Sequence, residues 1–165
     1  MPISSVVKNF RSGTILLADA TATPITLTVA YESGDFALSG IMQGQKDVAM
    51  YLDRGDFGSL RKTNFTPATF SFTAHLTDIS DATNANLMDA VGKTGAFASG
   101  VSTLGSASDF PWTLNVTWTI EGTDAGDPSD HVVALSNCHL KIDASEGDPN
   151  SFSISGTVYG VITLT

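Results

Sequence analysis

The chain has 165 residues and a mass of 17.2 kDa, the size of one domain, and a chain of that length buries roughly 68–70% of its unfolded surface without a disulfide or metal to hold it. Eight Lys and Arg stand against 17 Asp and Glu, a formal charge of −9 that argues against a basic nucleic-acid footprint. Only 15% of residues are charged while 42% are hydrophobic, and 20 Thr with 18 Ser carry much of the polar surface, so the composition is that of a folded chain.

The start at Met1-Pro2-Ile3-Ser4 shows no basic segment followed by an apolar one, and no apolar run approaches about 18 residues. The expectation is synthesis and residence in the cytoplasm, with no membrane insertion. The single Cys138 excludes an internal disulfide and a cysteine zinc site.

Period-two alternation dominates the chain and predicts strands. The first spans residues 13–18. The second and third, 25–32 and 36–42, flank Ser33-Gly34-Asp35, a tight-turn composition that predicts a hairpin. Residues 43–65 lack clear periodicity and are expected to form a long loop, which is unusual in a compact domain unless it is functional. In 68–77, Phe70, Phe72, Ala74 and Leu76 fall on one face, opposed by Thr69, Ser71, Thr73, His75 and Thr77. One short helix is expected over about 82–91, capped by Ser80 or Asp81 and stopped by Gly92, with Leu87 and Val91 four apart. A second loop follows at 95–109.

From 112 to 121, Trp112, Leu114, Val116, Trp118 and Ile120 oppose a row of Thr, Asn and Glu. A further strand is expected over 132–142. The last, 151–165, carries Gly156 and Gly160 where a bulge or bend is plausible. No repeat or linker composition divides the chain. The expected fold is mainly β, one domain over 1–165, either a β-sandwich or a partly closed barrel, with one short flanking helix and a long loop at about 43–65.

Catalytic patterns are sparse. Cys138 and His139 are adjacent, so in a strand their side chains point to opposite faces and form no dyad. The three Glu, at 32, 121 and 146, sit at strand ends or in turns and do not suggest a glycosidase pair. Asp124, Asp127 and Asp130 recur at every third residue and offer oxygen ligands to a hard cation, but they lack EF-hand spacing and a closing Glu, and the plainer reading is an exposed acidic hairpin loop. Arg54-Gly55-Asp56 is an adhesion-type tripeptide of a length that recurs by chance. Asn64-Phe65-Thr66 and Asn115-Val116-Thr117 match the glycosylation acceptor pattern, which has no consequence without export. No cofactor and no catalysis are expected.

Strand faces made of Thr, Ser and Asn, and long strands with few Lys or Pro to block their edges, point to self-assembly through edge pairing. Several segments together resemble a tailed-phage tail tube protein, or major tail protein. They are Val48-Ala-Met-Tyr-Leu-Asp-Arg-Gly-Asp-Phe-Gly58, the strand-then-helix run from Thr69 to Val91, the stretch from Trp112 to Asp130 with its Trp-Thr-Ile-Glu-Gly-Thr core, and Ala134-Leu-Ser-Asn-Cys-His139 leading to Ser145-Glu-Gly-Asp-Pro-Asn150 and the final strand. The resemblance spans most of the chain from about Tyr31 onward.

What the resemblance implies is a β-sandwich that assembles into six-subunit rings, stacked into a hollow tube around a tape-measure protein, with each subunit adding strands to a continuous inner barrel. Tail terminator and distal tail proteins would bound the tube. The chain would then reside in the virion tail, after assembly in the host cytoplasm. Residues 43–65 sit where the family's inter-ring loop lies, which would give Asp53, Arg54, Asp56, Phe57, Arg61 and Lys62 to contacts between rings. An acidic wall rich in Ser and Thr suits a conduit for double-stranded DNA, because each neutralised phosphate would add affinity and retard passage. The alternative is a capsid-decoration or carbohydrate-binding sandwich, in which exposed aromatics and the Asp124–Asp130 loop contact a ligand; Trp112 and Trp118, which share the apolar face, are more simply core residues.

Overall fold

The computed structural model describes residues 13–29, 35–40, 46–76, 79, 82–122, 128–147 and 150–165. Among these lie ten strands: β1 (Thr14–Ala18), β2 (Thr26–Val29), β3 (Ala37–Ser39), β4 (Lys46–Asp53), β5 (Asp56–Phe65), β6 (Ala68–His75), β7 (Leu114–Ile120), β8 (His131–Ser145), β9 (Ser151–Val158) and β10 (Ile162–Leu164). One α-helix, α1 (Leu87–Gly92), and a 3-10 turn at Gly95–Phe97 complete the regular structure. The fold is mainly β, in a single β-rich domain, as the alternation predicts.

Eight strands form one antiparallel sheet in the order β2-β1-β7-β8-β9-β6-β3, with β10 on β8. The fifteen-residue β8 joins its two halves. Its first half pairs with β7 from His131 to Cys138, and its second half pairs with β9 from Cys138 to Ser145. The positive φ of Asn137, 56°, marks the bend between them. β9 and β10 run in line along β8, interrupted at Gly160, whose N–H donates to the Ser136 carbonyl at 3.0 Å. The predicted break at this glycine is therefore present, and residues 151–165 are two strands in one line.

One face of the whole sheet is apolar. Ile15, Leu17, Leu114, Val116 and Leu135 from one half share a buried cluster with Phe70, Phe72, Phe152, Ile154 and Val158 from the other. The sheet does not close into a barrel; it folds its apolar face inward as two layers. Phe36, just before β3, stacks on Phe70, Phe72 and Trp118.

Three expectations are corrected. β2 and β3 do not form a hairpin: β2 pairs with β1, β3 pairs with β6, and the two lie at opposite edges of the sheet. Alternation specifies which face is buried and leaves the choice of neighbour open. Ser33 and Gly34 lie outside the described residues. Residues 43–65 are not a loop: from Lys46 onward they form a separate antiparallel hairpin, β4–β5, considered below.

The helix is shorter than 82–91. It begins at Leu87 because Asn86, in extended conformation, accepts from the Asp89 N–H at 2.9 Å as its cap. Ser80 and Asp81, the predicted caps, lie outside the described residues. The helix ends on Lys93, in the left-handed region at φ 54°, one residue beyond the predicted stop. Buried Asp89 accepts from Asn86 Nδ2 and Thr94 Oγ1, and so ties both helix ends together.

The segment 95–109 is a loop apart from its 3-10 turn. Ser102 and Thr113 staple it to the start of β7, with their hydroxyls 2.9 Å apart and the Ser102 hydroxyl donating to the Pro111 carbonyl at 2.8 Å. Asp19, 2% exposed, joins it from the other side. Its carboxylate accepts from the N–H groups of Ile25 at 2.7 Å and Val101 at 3.0 Å and from the Thr21 hydroxyl at 2.8 Å.

Candidate assembly surfaces

Among the described residues, those singled out in the sequence are not brought together into a catalytic geometry. Cys138 is buried, its thiol is pushed up to about 12 by burial, and it faces the core while His139 faces away, as their adjacency in a strand requires. Asp130 accepts from the Gly122 N–H at 3.1 Å across the base of the acidic loop. Asp124 and Asp127 lie outside the described residues. The two tryptophans pack against the core: Trp112 donates its indole N–H to the Ala90 carbonyl at 2.7 Å under the Lys93 ammonium, and Trp118 stacks on Phe36.

Two surfaces stand out instead. The first is the outer face of the half-sheet β8-β9-β6-β3. The register sets Thr69, Ser71 and Thr73 of β6 against Thr157, Ser155 and Ser153 of β9, and these against His139, Lys141 and Asp143 of β8. This is the hydroxyl face that the alternation of residues 68–77 predicts, now extended over three strands. A shallow groove of about 290 Å³ runs over it. Its inner side is tightly packed: a Cβ on Gly156 would overlap the ring of Phe70, its cross-strand partner.

Both edges of this half-sheet are open among the described residues. β3 pairs only with β6, and β8 beyond Cys138 pairs only with β9. Beyond the three residues that β3 pairs, Asp35 accepts from the Thr73 N–H of β6 at 2.7 Å. No Pro or bulge blocks β8 between His139 and Ser145.

The second surface is the β4–β5 arm, which leaves the body between β3 and β6. Its turn is Arg54-Gly55, with φ of 52° and 94°, both in the left-handed region as a type I′ hairpin requires. A Cβ on Gly58 would stand 3.0 Å from the Tyr51 carbonyl oxygen, where the register shifts between Tyr51 and Leu52. The ribbon has two unlike faces. Val48, Met50 and Leu52 of β4 share one with Leu60 and Phe57 of β5, and all five are exposed. The other carries Ala49, Ser59 and Arg61, whose guanidinium lies 5.7 Å from the centre of the Tyr51 ring.

Of the six residues that the family resemblance would assign to contacts between rings, all are on this arm. Asp53, Arg54 and Asp56 form its tip, Phe57 and Lys62 lie on the apolar face, and Arg61 lies on the polar one. Val48, Met50 and Leu52 enter the sequence reading only as part of a resembling segment, and neither they nor Leu60 are among the residues it assigns to contacts. The signal that could have found them is the run Val48-Ala-Met-Tyr-Leu52 followed at hairpin distance by Phe57 and Leu60.

The sequence matches no protein-family model, and no curated protein matches it. Solved structures do match in fold. A chain from the sheath/tube terminator of an extracellular contractile injection system (PVC) in the extended state aligns with 100% of this chain and 97% of its own length, at a TM-score of 0.59 and 12% identity. A chain of the sheath-tube complex of the same system aligns with 99% of this chain and 91% of its own, at 0.54 and 12%. A chain from the tube-terminating cap of the anti-feeding prophage aligns with 100% and 94%, at 0.53 and 11%. The architecture is therefore one found in tube, sheath and cap assemblies.

Proposed function

We propose that this chain is a structural, non-catalytic subunit of a phage-like tail, which self-associates into six-membered rings stacked as a hollow tube through which double-stranded DNA passes. The observation that carries the proposal is the half-sheet β8-β9-β6-β3, open at both edges. Its four strands alternate in direction, so the β8 edge of one copy and the β3 edge of an identically oriented copy run antiparallel. Repeated edge pairing then extends one uninterrupted antiparallel sheet and closes as a ring when the rotation between copies allows. The shared fold with tube and terminator assemblies supports this reading.

On this reading the hydroxyl face lines the bore. Ser and Thr bind water without fixing phosphate, and the single Lys141 among them is offset by Asp143 two residues away. A tape-measure protein would fill the bore before DNA, and terminator and distal tail proteins would cap the tube ends. The complete subunit belongs to the virion tail, assembled in the host cytoplasm. The arm, through Asp53, Arg54, Asp56, Phe57, Arg61 and Lys62, reaches the next ring.

Negative-stain electron microscopy of the purified protein over a concentration series, paired with size-exclusion chromatography, tests the proposal. Hollow rings or tubes that grow with concentration and ignore chelators are expected. A featureless monomer at every concentration would overturn it in favour of a decoration or carbohydrate-binding module. Tube length unchanged by Arg54→Glu with Arg61→Glu would remove the arm's tip and polar face from the ring contact.

A further inference from the structure

The loop that leads from the 3-10 turn into β7 holds a cleft that the strand edges, the hydroxyl face and the arm leave unused. It measures about 310 Å³, the size of a small ligand site, and is lined by Lys93 at the end of α1, by Ser106, Ala107, Ser108 and Phe110 of the loop, and by Trp112. Its aromatic walls are fixed in place. A Cβ on Gly100 would stand 2.7 Å from the Trp112 ring, and one on Gly105 would stand 3.0 Å from the Phe110 ring, so the loop backbone lies against both. Asp19 holds the Val101 N–H, and the Ser102–Thr113 hydroxyl pair anchors the loop at the start of β7. The cleft is therefore preformed, and little freedom is lost when it is filled.

Charge identifies the class of ligand. Outside the arm, Lys93 and Lys141 are the only Lys or Arg among the described residues, and Lys141 lies on the hydroxyl face. The Lys93 ammonium lies 5.1 Å from the centre of the Trp112 ring and pairs with no carboxylate among the described residues. The backbone N–H groups of Ser106, Ala107 and Ser108 are equally unengaged among those residues. Phe110, 47% exposed, adds an apolar wall that nothing described covers. A cation without a counter-charge, free backbone donors and two aromatic rings fit a ligand that carries carboxylates beside an apolar group. A neutral sugar would use the rings and leave the ammonium unanswered.

We propose that this cleft binds an acidic peptide segment of a partner protein, with an aromatic or leucine side chain packed against Trp112 and Phe110 and the neighbouring carboxylates on Lys93 and the loop N–H groups. Apolar burial supplies the affinity, and the carboxylates fix the orientation of the segment. The inference does not rest on the tube reading. None of the residues lining the cleft belongs to the β3 or β8 edge, the hydroxyl face or the arm, so the partner docks without competing for self-association.

The test titrates the full chain with fluorescein-labelled acidic pentapeptides, Glu-Asp-X-Glu-Asp with X as Phe, Tyr, Trp or Leu, by anisotropy, and maps the site by amide chemical shifts. Saturable binding that weakens with salt is expected, with shifts confined to residues 93–112. Lys93→Gln keeps the side-chain stem over Trp112 and removes only the charge, so it should weaken binding about ten-fold, the loss of one charge-assisted hydrogen bond. Phe110→Ala should weaken it by a similar factor, and an unchanged thermal midpoint for Lys93→Gln keeps the result decisive even if the Phe110 variant misfolds. No saturation by any of the four peptides up to about 1 mM would overturn the proposal. So would affinity unchanged in Lys93→Gln, equal binding of the Lys-Lys-Phe-Lys-Lys control, or shifts centred on the arm. Saturation by a neutral oligosaccharide, undiminished in Lys93→Gln, would replace the peptide with a glycan. Rings and tubes are scored on the same samples, so failure of the tube reading is seen separately.

Discussion

Phe36 and Trp118 stack with ring centroids 4.6 Å apart although their strands are separated by three others in the sheet order. Phe36 leads into β3 at one edge, while Trp118 lies on β7 beyond β8, β9 and β6. Only a sheet folded over on itself brings them together, so this pair reports the closure of the two layers. Trp118→Ala should cost about 3 kcal/mol, at the low end for a large aromatic because Trp118 is only partly buried. A double-mutant cycle with Phe36→Leu should show a coupling of about 0.5–1.5 kcal/mol in urea unfolding, and additivity would mean that the layers are held elsewhere.

Gly156 is the second packing constraint. The Phe70 ring lies where its Cβ would be, so Gly156→Ala forces the ring off its rotamer and should destabilise by about 1–3 kcal/mol. Phe70→Leu in the same chain should recover part of that loss, since the smaller side chain leaves room for the methyl group. Denaturant midpoints of the two single variants and the double variant decide it: no recovery would place the strain in the backbone.

Much of this was legible in the sequence, for a physical reason. Strands with one buried and one wet face write a period of two, and the rows around Phe70, Trp118 and Ile154 are found where the alternation puts them. The arm was not legible, because both its faces are exposed and no burial enforces a pattern. Ala49 and Tyr51, on the polar face, turn Val48–Leu52 into a continuous apolar run, and Arg54-Gly55 lacks the Asn-Gly signature of a two-residue turn. The pairing of β2 and β3 with distant strands was equally hidden, since neighbours in a sheet are chosen by tertiary closure. The hydroxyl face could be read from residues 68–77 alone, but its continuation onto β8 and β9 needed the register.

Asp19 makes stability depend on pH. Burial raises its pKa, but the N–H groups of Val101 and Ile25 and the Thr21 hydroxyl bind the charged form and more than offset this, leaving the pKa below the usual carboxylate range. The unfolded state therefore binds more protons between the two pKa values, so stability rises with pH there. The contribution is fully present above the unfolded value and is lost as pH falls through the folded one. Asp19→Asn, which faces these donors with an amide, should be less stable by about 1–3 kcal/mol at pH 7. The gap should narrow as the wild type is acidified below about pH 4. Urea unfolding from pH 7 to pH 3 measures it, and a constant gap would show that the Asp19 charge plays no part.

The turn of the arm offers a prediction about order rather than packing. Arg54 holds φ at 52°, a conformation that costs an ordinary L-residue about 1–2 kcal/mol and that Asn tolerates best among non-glycine residues. Arg54→Asn creates the favoured Asn-Gly turn, so amide exchange across β4 and β5 should slow several-fold in the free subunit, while exchange in β6–β9 stays the same. If the tip charge contributes nothing to stacking, this variant should also assemble at lower concentration, because less conformational freedom remains to be lost on docking. If Arg54 contacts the next ring, the more ordered arm should assemble worse. Exchange and assembly measured on the same sample thus separate the order of the arm from the contact made by its tip.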